Sequence, residues 1–308
     1  MLSRYAQLVL GAIWMTPCPV TAQATQDTRR DLIERYLDAS YVTISGGINL
    51  PGGYGRIDDL LVEADINQHL HVNTGRTTFI KVNPRVRLRM FTEPSSPVRT
   101  PSFMPNATLF FGFGDANTPA PLRGFTYYSL QLSHHSNGQA GDFYAADGSI
   151  NTESGSFSTN WIAFAVNRVW NTGPLSQAWT RMGLVWHPGI NRADELDDQY
   201  EEVKLELSTS SVRGFQQLAG LSLEFRAYVS YVLSGRTYNM LPEPGSGLPA
   251  ERATVGDRVD VRLSLSAGRS EFGDLRLYLK YDHGFDYYNI NFWRRLRRFQ
   301  FGIAGDPF

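Results

Sequence analysis

Two stretches near the end of the chain, Val259-Asp260-Val261-Arg262-Leu263-Ser264-Leu265 and Leu275-Arg276-Leu277-Tyr278-Leu279-Lys280-Tyr281, alternate apolar and polar residues without a break. A β-strand projects successive side chains to opposite faces, so each stretch has one greasy face and one that carries charge. Strand-like segments recur along the chain, separated by clusters of Gly, Pro, Asn and Asp. They lie near residues 41–46, 56–71, 76–92, 106–115, 124–136, 156–170, 178–188, 198–208, 220–233, 257–267, 273–282 and 297–308. The chain is therefore read as all-β. Its alternation admits two architectures. A soluble sandwich packs its apolar faces together under water, whereas a membrane barrel turns them out to lipid around a polar lumen.

Other features favour the barrel. After the N-terminal region no stretch approaches 18 consecutive apolar residues, so no transmembrane helix is expected. A barrel strand needs only about 9–11 alternating residues, and the count of twelve segments is even, as in bacterial single-chain barrels. Arg4 is followed by an apolar run around Ala6 to Trp14 and a small-residue site at Val20-Thr21-Ala22, the pattern of a secretory signal over residues 1–22. The only cysteine, Cys18, lies inside it, so the exported chain is expected to lack disulfides. Residues 23–40 read as a polar periplasmic segment and 41–308 as the barrel. Phe299, Phe301 and Ile303 alternate toward a terminal Phe308, resembling the signature read by outer-membrane insertion machinery. The expectation is an all-β, 12-stranded antiparallel transmembrane β-barrel of a Gram-negative outer membrane. A net charge of −1 gives no global electrostatic case for nucleic acid.

With both termini periplasmic, the fifth strand runs outward and ends at His134-His135-Ser136-Asn137-Gly138, and the sixth starts near Asn160. His134 and Ser136 share a face with Leu130 and Leu132; Ser156, Ser158 and Asn160 share one with Ile162, Phe164 and Val166. This puts a base, a hydroxyl and an amide on the lipid side, near the outer rim. A serine hydroxyl needs a base to take its proton, and His134 is placed to do so. The amide oxygen of Asn160 could fix the imidazole tautomer without a full charge. The oxyanion of an attacked ester still needs stabilising. The nearby groups are hard oxygens, from Asp142, Asp147, Glu153, Ser156 and loop carbonyls, which suggests calcium.

These residues resemble the outer-membrane phospholipase A family. His134-x-Ser136-Asn137-Gly138 is similar to its His-x-Ser-Asn-Gly signature, and Ser156-x-Ser158-x-Asn160 to the segment that carries its calcium serine and triad asparagine. Upstream, Ser95-Ser96-Pro97-Val98-Arg99, Pro105 and Leu109-Phe110-Phe111-Gly112-Phe113 fit a third region; Tyr281, Gly284, Tyr288-Asn289, Gly302 and Asp306-Pro307-Phe308 fit the tail. The resemblance implies a calcium-dependent phospholipase that hydrolyses acyl esters of phospholipids and lysophospholipids, active as a homodimer with its sites at the subunit interface. It implies His134 as base, Ser136 as nucleophile and Asn160 as orienting amide. It implies calcium on the Gln139 carbonyl, the Ser156 hydroxyl and the partner subunit's Ser95. The loop from Gly138 to Ser156 is longer than in the family, so the acidic residue near the metal is Asp142, Asp147 or Glu153; Asp142 lies nearest the family distance. Trp161 stands where the family has arginine.

The remaining motifs point to less. His69 and His71 are two ligands, too few for a zinc site, and read as strand residues. Arg294-Arg295-Leu296-Arg297-Arg298 reads as a solvated external loop, with lipopolysaccharide phosphates as the other reading. There is no Gly-x-Ser-x-Gly elbow, phosphate-binding glycine loop or cysteine pair. The alternative function is a non-enzymatic barrel, a channel or scaffold that retains the motif.

Overall fold

The computed structural model describes residues 29, 32–33, 40–44, 60–92, 94–95, 98–114, 124–173, 176–190, 192–197, 199–215, 220–235, 238–240, 251–269 and 275–305. The expected signal peptide, most of the 23–40 segment and the terminal Asp306-Pro307-Phe308 lie outside them. One antiparallel sheet closes on itself. Its strands are β1 (Ser40–Ile44), β2 (in two halves, Leu60–Ile66 and Leu70–Asn73), β3 (Thr78–Phe91), β4 (Val98–Phe111), β5 (Phe125–Ser136) and β6 (Ser158–Gly173). Then follow β7 (Ser176–Trp186), β8 (Val203–Phe215), β9 (Leu221–Ser234), β10 (Val259–Arg269), β11 (Arg276–Phe285) and β12 (Arg295–Gly305). Each strand pairs with its sequence neighbours, and β1 closes the ring against β12 with Ser40 opposite Gly305. Closure removes the unpaired edges of an open sheet. The result is the twelve-stranded antiparallel barrel expected from the alternation.

Prolines explain where the sequence reading and the ladder part company. β4 starts at Val98, ahead of the expected residue 106, and runs through Pro101 and Pro105. Pro84 and Pro105 face each other across β3 and β4. A proline has no N–H, so each is tolerated where its partner asks it for nothing. The missing donors fall on the far sides, and pairing lapses there. β2 breaks between Ile66 and Leu70, beside Pro84, and the β4–β5 ladder skips Met104 and Pro105 between Phe103↔Ser136 and Asn106↔Ser133. At the first gap Ser40 Oγ accepts the Asn67 N–H at 2.9 Å, and Asn83 donates to the Asn67 side chain.

The two faces of the wall are inverted relative to a soluble sandwich. Outward side chains such as Leu132 (55% exposed), Met182 (64%) and Leu277 (71%) are apolar, while Glu63, Asp65 and Arg89 are buried inside. Those charges are paired. Glu63 meets Arg89 Nε at 2.8 Å, Arg298 Nη2 at 2.9 Å and Lys280 Nζ at 3.4 Å. Asp65 takes Arg85 and Arg87, each at 2.7 Å. Arg89 also forks onto Asp286 at 2.6 and 2.7 Å. The basic run from Arg294 to Arg298 is corrected by this pattern. β12 starts at Arg295, so alternation turns Arg298 into the lumen, where it pairs with Glu63 and Asp282, while Arg295, at the strand end on the other face, is buried against Asp257 of the β9–β10 loop. Only Arg297 of the strand portion stays exposed.

The long connections, 137–157, 187–202, 235–258 and 286–294, all leave the same end, here the upper rim; the turns at the lower rim are mostly short. An apolar plug stands at each end. Below, Leu32 and Ile33 pack on Phe79, Phe110, Phe113, Phe125, Tyr127 and Val169. Above, Phe143, Phe157, Leu196, Tyr200, Ile290 and Phe292 draw three loops together. Between them lies a cavity of about 390 Å³ lined by Lys81, Arg85, Lys204, Arg262 and other polar side chains. A lumen closed in this way should carry no steady ionic current. Recordings across planar bilayers containing the refolded chain should stay at baseline, and stable open steps would show that the plugs are not in place.

Candidate active site

β5 ends and β6 begins at the upper rim, and their register places His134 directly opposite Asn160. His134, Ser136, Ser158 and Asn160 lie on the outward face, in line with exposed Leu130, Leu132 and Phe164. The row beneath them is Ala107, Leu132, Ile162 and Trp186, and the row above is Phe103, Ser136 and Ser158. Phe103, Trp186 and Ile190 are exposed apolar neighbours. The polar group is thus a small island in an apolar wall.

The geometry of the island settles its proton positions. His134 Nδ1 lies 2.8 Å from Asn160 Oδ1, and Asn160 Nδ2 donates to the Ile190 carbonyl at 2.8 Å. A carbonyl only accepts, so the amide must turn its NH2 toward Ile190 and its oxygen toward the histidine. That oxygen also only accepts, so Nδ1 carries the proton and the Nε2 lone pair is left as a base. The Ile190 loop is itself tied to β6, because Ala193 N–H donates to the Ser158 carbonyl at 3.1 Å. Among the described residues the Ser136 hydroxyl makes no hydrogen bond. Nucleophile–base contacts often close only when substrate binds.

Asn137, one residue past the nucleophile position, is the staple of the long loop. Its Oδ1 accepts the Phe157 N–H at 3.0 Å and the Gln139 N–H at 3.3 Å, and its Nδ2 donates to the Gly155 carbonyl at 2.6 Å. Gly138 follows with φ of 66°, a left-handed conformation that costs glycine little. Asn137→Ala would strand buried donors and acceptors, at roughly 1–3 kcal/mol for each unsatisfied group. The expected outcome is faster proteolytic nicking within residues 139–155 while the barrel stays folded. Unchanged cleavage would mean the loop is held by its aromatic plug alone.

Of the expected oxygen donors, Gln139, Asp142 and Ser156 belong to the two ends of this loop. Ser156 N–H donates to the Gly141 carbonyl at 2.9 Å, which brings Asp142 beside Ser156, and Gln139 sits against Thr100 through a 3.1 Å side-chain bond. Asp147 is at the exposed tip, where the Ser149 hydroxyl and N–H bind its carboxylate at 2.6 and 2.9 Å and hold it below the usual carboxylate range. Glu153 is exposed, in a turn whose N–H groups are taken by Asn151 Oδ1. Ser95 is exposed at the same rim, in the β3–β4 connection, with φ of 72°. Among the described residues no group of three or more His, Cys, Asp or Glu side chains is arranged for a metal. The donors expected from the sequence are one carboxylate with hydroxyl and carbonyl oxygens, a composition that would fit a hard cation and not zinc.

Behind the island, on the lumen side, His135, Trp161 and His187 form an aromatic row, with ring centroids 6.5 and 5.6 Å apart. His135 Nε2 is 3.2 Å from Ser102 Oγ, which accepts the Asn289 N–H at 2.7 Å. Burial, with Lys204 and Arg192 nearby, keeps the His187 pKa well below the usual histidine range. His135, at the variable position of its motif, and Trp161, which stands where the family has arginine, thus support the wall from inside. Two functional contacts escaped the sequence reading: the Ile190 carbonyl on Asn160 and the Asn137 staple. Only Pro188-Gly189, a turn signal beside Ile190, hinted at the first.

No family model matches the sequence, and no curated protein does. Solved structures do. The chain is similar to outer membrane phospholipase A from Escherichia coli, with a TM-score of 0.55 and 14% identity over 88% of this chain and 90% of that one. An active-site mutant of the same E. coli protein aligns with a TM-score of 0.56 and 13% identity, over 98% of each chain. The Salmonella typhi outer membrane phospholipase, a dimer with bound calcium, aligns with a TM-score of 0.53 and 12% identity over 92% of this chain and 99% of that one. At such identities the likeness is one of fold, the closed twelve-stranded barrel.

Proposed function

We propose that this chain is a calcium-dependent phospholipase of a Gram-negative outer membrane, with Ser136 as nucleophile, His134 as base and Asn160 as its orienting amide. The observation that carries the reading is the His134–Asn160 bond of 2.8 Å, placed on the outward apolar face of a barrel. A base on that face is of little use to a water-soluble substrate but is at the right place for an acyl ester held in a lipid leaflet. The inverted distribution of polarity supports the membrane setting, and the long loops at one rim support an orientation with that rim outside. The structural neighbours are phospholipases, and one is a calcium-bound dimer, which supports the substrate class, the metal and a homodimer.

In this mechanism Ser136 Oγ attacks the ester carbonyl as its proton passes to His134 Nε2. The imidazolium is held by Asn160 and returns the proton to the departing lysolipid oxygen, and water then repeats the cycle to release the fatty acid. Gln139, Asp142 and Ser156, with Ser95 from a second copy, would hold the metal. Calcium bound there supplies a positive charge for the developing oxyanion. The apolar neighbours Leu132, Phe103 and Ile190 offer the acyl chain a surface that excludes water. The plugged lumen weighs against the channel alternative.

The test is fatty-acid release from phospholipid and detergent mixed micelles by the refolded chain. Release should require millimolar calcium and stop on chelation. Release that ignores the chelator would remove the metal from the mechanism and leave the triad standing.

A further inference from the structure

Among the described residues, polar side chains interrupt the upper half of the outward wall at two seams. One is the β5–β6 seam already described. The other is β11–β12, six strands away around the ring, where His283 and Arg297 are directly paired across the ladder. Both are on the outward face: His283 is in line with Leu277 and Leu279, and Arg297 with Phe299, Phe301 and Ile303, all exposed. Like the triad, they lie near the upper ends of their strands. His283 and Arg297 each lie two residues from the strand end marked by the Phe285–Arg295 pair, as His134 and Asn160 do from the Ser136–Ser158 pair.

The surroundings are amphipathic in the right order for a lipid. Just below the pair, the rings of Tyr281 and Phe299 pack with centroids 4.7 Å apart, and Leu279 opposite Phe301 continues the apolar surface. Just above, Arg295 stands opposite Phe285 and meets Asp257 at 3.4 Å. A cation is costly on a lipid-facing strand at mid-membrane and is tolerated at the headgroup level, where it meets anionic groups. The guanidinium offers a planar fork of N–H donors, and a neutral imidazole adds one more donor. Both suit phosphate oxygens, which only accept.

We propose that His283 and Arg297 bind a phosphate group of an outer-leaflet glycolipid, the phosphate monoester of lipid A. A monoester carries about −1.5 to −2 charges near neutral pH against −1 for the diester of a phospholipid, so the cationic guanidinium favours the monoester. The acyl chains would lie down the Tyr281–Phe299 surface. The inference rests on the membrane placement and orientation proposed above and not on the triad, so it fails or stands separately from the esterase chemistry.

The experiment uses the refolded full chain in detergent, with folding checked by gel-mobility shift on heating. Native mass spectrometry titrates bisphosphorylated lipid A against the wild type, the His283→Ala/Arg297→Ala double variant and Arg297→Lys. The double variant should bind at least about tenfold more weakly. Arg297→Lys, which keeps the point charge but loses the planar fork, should bind more weakly than the wild type and more tightly than the double variant. Dephosphorylated lipid A and phosphatidylglycerol should bind the wild type at least about tenfold more weakly than the phosphorylated probe. Fatty-acid release should be unchanged in the double variant. Equal lipid A binding by wild type and double variant overturns the proposal. So does equal binding of the dephosphorylated probe, which would mean apolar contact alone, or displacement by millimolar inorganic phosphate, which would mean a soluble anion site. If the double variant does not fold, Arg297→Gln, which keeps hydrogen-bond donors but removes charge, decides on the same threshold.

Discussion

Ser136→Ala should lower phospholipid hydrolysis by about 10⁴-fold or more, with folding and heat-dependent gel mobility unchanged. Alanine removes one oxygen from a half-buried rim position, so no core contact is lost. What disappears is the atom that would attack the ester. Asn160 variants refine the expectation. Asn160→Ala releases the imidazole tautomer and should cost about 10- to 10³-fold, less than removing a triad carboxylate because a neutral amide stabilises imidazolium less. Asn160→Asp is the sharper test. Its first oxygen can still accept from His134, but its second would face the Ile190 carbonyl, now 2.8 Å from an NH2 group. Two acceptors at that distance repel, so the variant should be impaired at neutral pH relative to the wild type. Single-turnover release at neutral pH measures all three. Substantial activity in Ser136→Ala would end the mechanism, and an Asp variant as active as wild type would remove Ile190 from it.

The largest loss of stability is expected at Glu63. It is fully buried and meets three cations, Arg89, Arg298 and Lys280, within 3.4 Å. Removing one member of a buried ionic cluster leaves the others desolvated without a partner, which typically costs about 3–5 kcal/mol. Glu63→Ala should lose an amount of this order in urea titrations of the refolded barrel followed by tryptophan fluorescence. Arg181→Ala, which breaks a more accessible pair with Glu206 at 2.7 Å, should lose less. The reason is screening: both partners of that pair keep some contact with solvent. Equal losses at the two sites, or a loss under about 1 kcal/mol at Glu63, would show that the lumen is wet enough to hydrate the stranded cations. The contrast between sites is a better guide than either absolute value, because the unfolded reference is shared.

Much of this molecule was legible in residue order because a barrel is built from a local rule. Alternation gives the face of every side chain, and it put Leu130, Leu132, His134 and Ser136 on one side before any fold was known. It also put Asn160 with Phe164 and Val166. What alternation cannot supply is pairing between distant loops. The Ile190 carbonyl reaches Asn160 because β7 returns beside β6, a contact between residues thirty apart. Asn137 looked like part of a motif, yet its contacts are across the loop to Gly155 and Phe157. The basic run at 294–298 misled for a simpler reason. Strand β12 begins at Arg295, so a charge cluster in sequence is divided between lumen and outer wall. Pro101 and Pro105 misled in the opposite direction: they read as punctuation and proved to be strand residues whose missing donors happen to be tolerated.

The outward aspect of the His134–Asn160 pair also bears on how the proposed enzyme should count its substrate. A nucleophile opening into a cleft responds to moles of substrate per litre. One set on the outer wall responds to moles of phospholipid per area of membrane, since molecules reach it only by sliding sideways. Diluting phospholipid with inert detergent at fixed bulk concentration should therefore slow turnover in proportion to surface fraction. Adding buffer at fixed surface composition should leave turnover nearly unchanged. The state of the leaflet beside β5 and β6 would then set the rate, and the protein would act as a gauge of membrane composition.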